Sequence, residues 1–160
     1  MTEEHASMHL LVVRHGKAGS RHDWEGRDEQ RPLSKRGRRQ AEALVNLLAD
    51  RPIARVLSSS SLRCIQTVEP LAQKLGLTVV PREALREGAT RAQVAELLAE
   101  LSSTTAVVCT HGDMIPIILD HLATEHGFDL PDPSPCAKGS TWEVNDEQGP
   151  KTARYLPAPE

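Results

Sequence analysis

Residues 8–16 of the chain are MHLLVVRHG, and they give the strongest indication of its fold. The first six of these residues are mostly leucine, valine and methionine, and such a short apolar run is typical of a strand buried on both faces. The run passes directly into Arg14, His15 and Gly16, with no turn residues between. The sequence therefore predicts a buried strand at 8–13 that ends on a cationic side chain and a histidine.

The same pattern occurs again near the other end of the chain. Residues 105–110 are apolar and run directly into His111 and Gly112. Between and after these two stretches, strand-like and helix-like segments alternate. Strands are predicted at 53–57, 77–80, 139–144 and 153–156. Helices are predicted from the N-cap Ser34 to Asp50, at 62–75 with Gly76 after it, at 91–101 behind Thr90, and from 113 to 121. This alternation indicates an α/β fold: a three-layer α/β/α sandwich around a mostly parallel central sheet.

Both histidines that follow a strand are expected at one edge of that sheet. In open α/β sheets, ligands bind in the crevice beyond the carboxyl ends of the strands. Arg63 falls in the first turn of the helix at 62–75, where free backbone N–H groups and the helix dipole also favour an anion. Arginine clamps a phosphoryl group with two parallel hydrogen bonds. Arg14, His15, Arg63 and His111 together predict a pocket for a phosphate dianion.

Length, composition and net charge limit the domain organisation, the partners and the location that can be expected. With 160 residues, 39% apolar and 26% charged, the chain is expected to form a single domain over 1–160, with 1–7 as a flexible tail. A net charge of −3 gives no reason to expect nucleic acid or an anionic membrane as partner. Basic residues outnumber acidic ones between Arg14 and Arg39, however, which suits a small anionic ligand. No stretch of about 18 apolar residues occurs, and a cytoplasmic location is expected.

Metal and disulfide sites are not expected. The three cysteines form no CxxC pair. His22 and Asp23 lack a third ligand at useful spacing. Cys109 is read as a buried small hydrophobe. His5, His9, His121 and His126 are expected in the tail or on helix surfaces.

Five motifs together carry a resemblance to a known family. They are VVRHG at 12–16, RPLSKRG at 31–37, SSSLRCIQT at 59–67, LREG at 85–88 and CTHGD at 109–113. In this order they resemble the histidine phosphatase superfamily, also called phosphoglycerate mutase-like, and they span most of the chain. The RPLSKRG segment and the short length look most like the SixA-type phosphohistidine phosphatases.

The resemblance implies a role for each matching residue. His15 would be the nucleophile that forms a phosphohistidine, with Arg14 and Arg63 on the phosphoryl oxygens and His111 as a further donor. Glu87 matches the general acid of larger members, or else it is a surface glutamate. Arg31 matches an arginine of the SixA-type pocket, or else it is a solvated loop residue. The glycines of the two strand-end motifs, Gly16 and Gly112, would belong to the substrate-binding set. No cofactor is implied.

Several alternatives stay open at this point. The substrate would be a phosphohistidine protein, or a small phosphate ester, a nucleotide or a polyphosphate. The segment from RHG to RPLS also resembles histidine phosphatase domains found beside Nudix domains, although the chain contains no Nudix box. Larger family members carry a substrate-covering insertion in this region, whereas about three residues separate Glu87 from the next predicted helix here, so the resemblance implies an open site. A pseudoenzyme that binds phosphorylated partners is the rival from a different class. Asp113 would cap the helix at 113 or orient His111, and the cap is favoured. A monomer or weak dimer is expected.

Overall fold

A computed structural model of the chain describes residues 7–147 and 149–159. In this part of the chain six strands alternate with four helices, and two short 3-10 helices lie at Asp28–Gln30 and Glu83–Leu85. The elements are β1 (His9–Arg14), α1 (Lys35–Leu48), β2 (Arg55–Ser58), α2 (Leu62–Leu75), β3 (Val79–Pro81), α3 (Arg91–Glu100), β4 (Thr105–Thr110), α4 (Ile115–His126), β5 (Thr141–Asn145) and β6 (Thr152–Leu156). Of the predicted tail only Ser7 is described, and its carbonyl accepts a hydrogen bond of 2.7 Å from Ser103 N.

The strands form one sheet in the order β3-β2-β4-β1-β5-β6. The first four are parallel, while β5 and β6 add an antiparallel edge. In the central pair, Arg14 of β1 is opposite Thr110 of β4, so both strands end at the same level. His15 N donates to the carbonyl of Thr110 at 3.1 Å. The two strand-end histidines are therefore side by side, as the sequence predicts.

Helices cover both faces of the sheet, which explains why β1 is apolar throughout. Leu11 and Val13 pack into a core with side chains of α1 and α2. Leu10 and Val12 point the other way, because side chains alternate along a strand, and they pack with α3 and α4. The predicted three-layer α/β/α sandwich is confirmed.

The helix ends follow their predicted caps in three of four cases. Ser34 Oγ accepts from Gly37 N at 3.1 Å, and Thr90 forms a capping box with Gln93. Gly76 ends α2 with φ at +70°, where a side chain would be strained. The prediction for Asp113 is wrong, because α4 begins at Ile115 and its N-cap is Met114. None of the helices in the described ranges is long and apolar enough to cross a membrane.

Two histidines expected on exposed surfaces are buried instead. His9 is 6% exposed and His121 is 9% exposed. His9 belongs to β1 rather than to a tail, and its Nε2 lies 2.7 Å from Glu143 on the neighbouring strand. Glu143 also pairs with Arg51 Nη2 at 2.8 Å, so His9 and Arg51 share this partly buried carboxylate as a partner. His5 lies outside the described residues.

Candidate active site

A pocket of about 590 Å³ opens at the carboxyl ends of β1 and β4. It contains seven of the eight residues that the sequence assigns to the site. Its lining is Arg14, His15, Lys17, Ala18, Gly19, Ser20, Arg21, Arg31, Arg63, Glu87, His111, Gly112, Asp113 and Lys138. Gly16 is not in this lining: its N–H donates to Thr67 Oγ1 at 2.9 Å, and a Cβ there would lie 3.2 Å from the carbonyl of Gly37. Gly16 therefore packs behind the pocket, against α1 and α2.

His15 is held as a neutral ring with one free nitrogen. Its Nδ1 lies 2.8 Å from the carbonyl of Gly16, and since a carbonyl can only accept, Nδ1 carries the proton. Burial lowers the pKa of His15 to about 3, against the opposing effect of the Gly16 hydrogen bond, and His111, Arg63 and Arg14 lower it further. The sequence predicts the effect of the cationic neighbours but not that burial contributes more. In the neutral ring, Nε2 keeps its lone pair.

This shift has a consequence for stability that can be measured. The folded pKa of about 3 lies below the ordinary value of 6.5, so between those values the unfolded chain binds a proton that the folded chain does not. Above pH 6.5 His15 is neutral in both states and the shift contributes nothing to stability, whereas below pH 6.5 protonation of the unfolded chain progressively destabilises the fold. Between pH 7 and pH 5 we expect a loss of roughly 2 kcal/mol from this residue, at about 1.4 kcal/mol per pH unit below 6.5. Urea unfolding of the wild type and of His15→Asn at both pH values measures the difference; parallel pH slopes would contradict it.

Arg14 and Arg63 bring unpaired donors to the same pocket. The Nε atoms of both are buried and have no hydrogen-bond partner among the described residues. Arg14 is fixed by its Nη1, which donates to the carbonyl of Cys136 at 2.7 Å. A Cβ at position 112 would lie 2.7 Å from the Arg14 guanidinium, so Gly112 is the residue that fits there. Buried donors without partners are costly, so these two Nε groups are candidates to bind an anion.

Two carboxylates hold the other side of the Arg63 guanidinium, which is 1% exposed. Its Nη1 donates to the backbone carbonyl of Asp28 at 2.9 Å, and its Nη2 lies 3.1 Å from Asp28 Oδ2. The same Nη2 lies 2.7 Å from Glu87 Oε1. Arg63 is therefore oriented on its Nη side, while its Nε remains unpaired.

Asp28 is a residue of this site that sequence reasoning missed. Besides Arg63, it accepts from Arg31 Nε at 3.1 Å and lies 3.4 Å from Arg21 Nε. Partial burial acts to raise the pKa of Asp28, but the hydrogen bond from Arg31 and the charges of Arg63, Arg31 and Arg21 lower it overall. The acid sits in a 3-10 helix within a loop that has no periodicity, and its only sequence signal is its position among arginines.

Arg31 belongs to the pocket rather than to solvent. It is 7% exposed, and its Nη1 donates to the carbonyl of Gly19 while its Nε binds Asp28. The loop that carries it folds back on α1, where the carbonyl of Lys17 lies 2.0 Å from where a Cβ of Gly37 would be. Only glycine permits this approach, which accounts for the glycine that ends RPLSKRG.

His111 is buried between a serine and a carboxylate. Its Nε2 lies 2.8 Å from Ser59 Oγ, and its Nδ1 lies 3.5 Å from Glu87 Oε1 and from Arg63 Nη2. The rings of His15 and His111 meet edge to face with centroids 5.5 Å apart. Ser59 thus orients His111, a role that the motif SSSLRCIQT does not reveal.

Asp113 does neither of the things expected of it. Its Oδ2 accepts from Gly88 N at 2.9 Å and so anchors the loop that carries Glu87. Glu87 itself is half-exposed, beside both Arg63 and His111. Glu87 is thus an exposed loop residue that also lines the pocket, and its role as general acid stays a prediction.

Metal ligands do not cluster in the part of the chain described. Within residues 7–147 and 149–159 no group of three or more histidine, cysteine, aspartate or glutamate residues could hold a metal ion. Cys64 and Cys109 are buried free thiols, as expected for Cys109.

Comparisons with known proteins agree with this geometry. Residues 10–90 match the histidine phosphatase superfamily (branch 1), a range that includes Arg14, His15 and Arg63. An 8-oxo-(d)GTP phosphatase from Mycolicibacterium smegmatis is 38% identical over 157 residues, which is 94% of this chain and 48% of that protein. The chain thus spans about half the length of this curated relative.

Several solved structures have the same fold as this chain. The protein histidine phosphatase SixA, complexed with tungstate, matches with a TM-score of 0.72 and 24% identity over 93% of this chain and 96% of its own. A mycobacterial glucosyl-3-phosphoglycerate phosphatase matches with a TM-score of 0.72 and 17% identity, over 96% of this chain and 100% of its own. With the family match and the strand-end site together, the chain belongs to the histidine phosphatase superfamily, branch 1, whose members are hydrolases of phosphate compounds.

Proposed function

We propose that this chain is a metal-independent phosphohydrolase that transfers a phosphoryl group to Nε2 of His15. The observation that carries the proposal is the neutral, buried His15, whose Nδ1 is committed to Gly16 while two unpaired arginine Nε donors share its pocket. A nucleophile with a free lone pair and donors for the phosphoryl oxygens are the two elements that such a transfer needs.

In the proposed mechanism, the lone pair of Nε2 attacks phosphorus as the bond to the leaving group breaks. Arg14 and Arg63 hold the equatorial oxygens, and His111 adds a donor to the charge that develops there. Glu87, next to Arg63 and His111, is the proposed general acid. Its proton would go to the leaving atom, and its carboxylate would then take a proton from the water that hydrolyses the phosphohistidine. Arg31 would line the site as a third arginine.

The first candidate substrate is a phosphohistidine on a protein. Three residues, from Gly88 to Thr90, separate Glu87 from α3, so no long segment between them covers the pocket. An open site admits a protein surface, and an imidazole leaving group needs little help from an acid. The protein histidine phosphatase SixA has the same fold as this chain, which is consistent with such a substrate.

The second candidate is a small phosphate compound such as a nucleotide. The observation that favours it is the 38% identity with the 8-oxo-(d)GTP phosphatase over nearly all of this chain. An open pocket permits this substrate too, so openness does not separate the two candidates.

A side-by-side assay tests the proposal. We expect phosphate release in the presence of EDTA from p-nitrophenyl phosphate and from one of two physiological classes, a phosphohistidine protein or nucleoside di- and triphosphates. The kcat/KM values rank the candidates. Loss of all activity with EDTA, restored by a divalent metal, would contradict the metal-independent mechanism. Absence of turnover on every substrate would leave a phosphate-binding module as the function.

A further inference from the structure

The rim of the pocket carries more positive charge than one phosphoryl group needs. Lys17, Arg21, Arg31 and Lys138 line it in addition to Arg14 and Arg63. The rim arginines have a carboxylate partner in Asp28. In contrast, no ion pair joins the ammonium group of Lys17 or of Lys138 to a carboxylate among the described residues. Two lysines of this rim therefore have charge available for a ligand.

One buried side chain holds the backbones of both lysines. Gln40 of α1 is 7% exposed; its Oε1 accepts from Lys17 N at 2.9 Å and its Nε2 donates to the carbonyl of Lys138 at 3.4 Å. Gly139, next to Lys138, donates its N–H to the carbonyls of Arg14 and His15, both at 3.0 Å. The two lysines are thus tied to each other and to the strand end that carries the nucleophile.

Gly139 shows how closely this arrangement is packed. Its φ is +84°, and a Cβ there would lie 3.1 Å from Gln40 Cδ. A larger residue would be strained in this conformation and would press on the amide that links the two lysines. The backbone positions of both exposed lysines are therefore fixed by the fold, at the rim of the pocket.

The charges of the rim converge on one region. Partial burial lowers the pKa of Lys138, and the positive charges of Arg14, Arg31, Lys17 and Arg21 lower it further. Like charges held together repel each other, and a bound anion removes that repulsion. In the proposed mechanism Arg14 and Arg63 bind the phosphoryl group at His15. The charges of the rim are therefore available to bind a second anionic group on the same ligand.

We infer that Lys17 and Lys138 form a second phosphate subsite beside His15, so that the substrates are phosphoanhydrides such as nucleoside di- and triphosphates. This inference rests on the proposed transfer to His15 and names its substrate class. A monoester or a phosphohistidine has a single phosphate and would leave the subsite empty.

The reaction balances without any further reactant besides water. Nε2 of His15 forms a bond to the terminal phosphorus, and the bond from that phosphorus to the bridging oxygen breaks. The bridging oxygen leaves with the electron pair on the penultimate phosphate, whose negative charge rises by one. Lys17 and Lys138 contact that phosphate and stabilise the added charge. Water then hydrolyses the phosphohistidine to inorganic phosphate and restores the neutral histidine.

The test compares Lys17→Met/Lys138→Met with the wild type on GDP and on p-nitrophenyl phosphate. Loss of two charge-assisted contacts should lower kcat/KM on GDP about 10- to 100-fold more than on p-nitrophenyl phosphate. Lys74→Met, an exposed lysine of α2 away from the pocket, is the matched control and should change neither. Binding is measured separately, as the affinity for methylenediphosphonate relative to that for inorganic phosphate. The wild type should prefer the diphosphonate, and the double variant should lose that preference.

The outcomes separate this inference from the proposal on which it rests. Turnover of p-nitrophenyl phosphate with none of GDP, or equal losses on both substrates, would overturn the subsite and leave the phosphohydrolase intact. Absence of turnover on both substrates would overturn the proposed function. In that case, equal wild-type affinity for phosphate and diphosphonate would overturn the subsite as well.

Discussion

Replacing His15 with asparagine should abolish phosphatase activity, with a loss in kcat/KM of about 10⁴-fold or more, as for other covalent nucleophiles. Asparagine retains a side-chain donor for the Gly16 carbonyl, which His15 Nδ1 contacts at 2.8 Å. The variant therefore removes the attacking nitrogen with little change to the packing around it. Steady-state hydrolysis of p-nitrophenyl phosphate measures the effect, alongside the thermal midpoint as a check on folding.

The matched control is His22→Asn, since His22 is an exposed histidine of the same loop region and is absent from the pocket lining. This control should keep wild-type activity. A His15→Asn protein that is folded and retains a tenth of the wild-type rate would show that another group carries out the reaction.

Replacing Arg63 with lysine should lower kcat/KM about 10²- to 10³-fold, the range for loss of one preorganised donor at a reacting centre. Lysine keeps the charge but has no planar fork, so it cannot bind Asp28 and Glu87 on one side and present a fixed donor to the phosphoryl group on the other. We expect most of the loss in kcat, because the donor acts on the charge that develops during transfer.

Arg82→Lys is the control for this substitution. Arg82 forms a comparable pair, with its Nη2 at 2.7 Å from Glu100, but it lies outside the pocket. It should leave kcat and KM unchanged. If Arg63→Lys raised only KM, the role of Arg63 would be uniform binding of the phosphate and not stabilisation of the transition state.

The sequence predicted the fold and the centre of the site because both depend on local patterns. Apolar runs that end at residues 13 and 110 locate β1 and β4, and parallel strands bring the residues that follow them to one edge. Arg63 was predictable for the same reason, since it follows β2 at the start of a helix. The positions of His15, Arg63 and His111 thus follow from strand and helix order alone.

What could not be predicted depends on contacts between distant segments. Asp28 lies 35 residues from Arg63 along the chain, in a loop whose path no periodicity reveals. Aspartate is a common N-cap residue, and the sequence therefore predicts a cap at Asp113. In the structure α4 begins two residues later, and the Asp113 carboxylate accepts a hydrogen bond from Gly88 N instead. The prediction that His9 lies in the tail or on a helix surface is wrong, because its partner Glu143 on β5 is distant in the sequence.

The proposed mechanism requires that a phosphoryl group becomes covalently bound to His15. This intermediate can be detected by rapid-quench labelling with a ³²P-labelled substrate, followed by mass spectrometry of the labelled peptide. We expect a protein-bound label within one turnover that is stable to alkali and labile to acid. The label should map to His15 and be absent from His15→Asn. Phosphate release at the wild-type rate with no protein-bound label, or with a label on another residue, would contradict it.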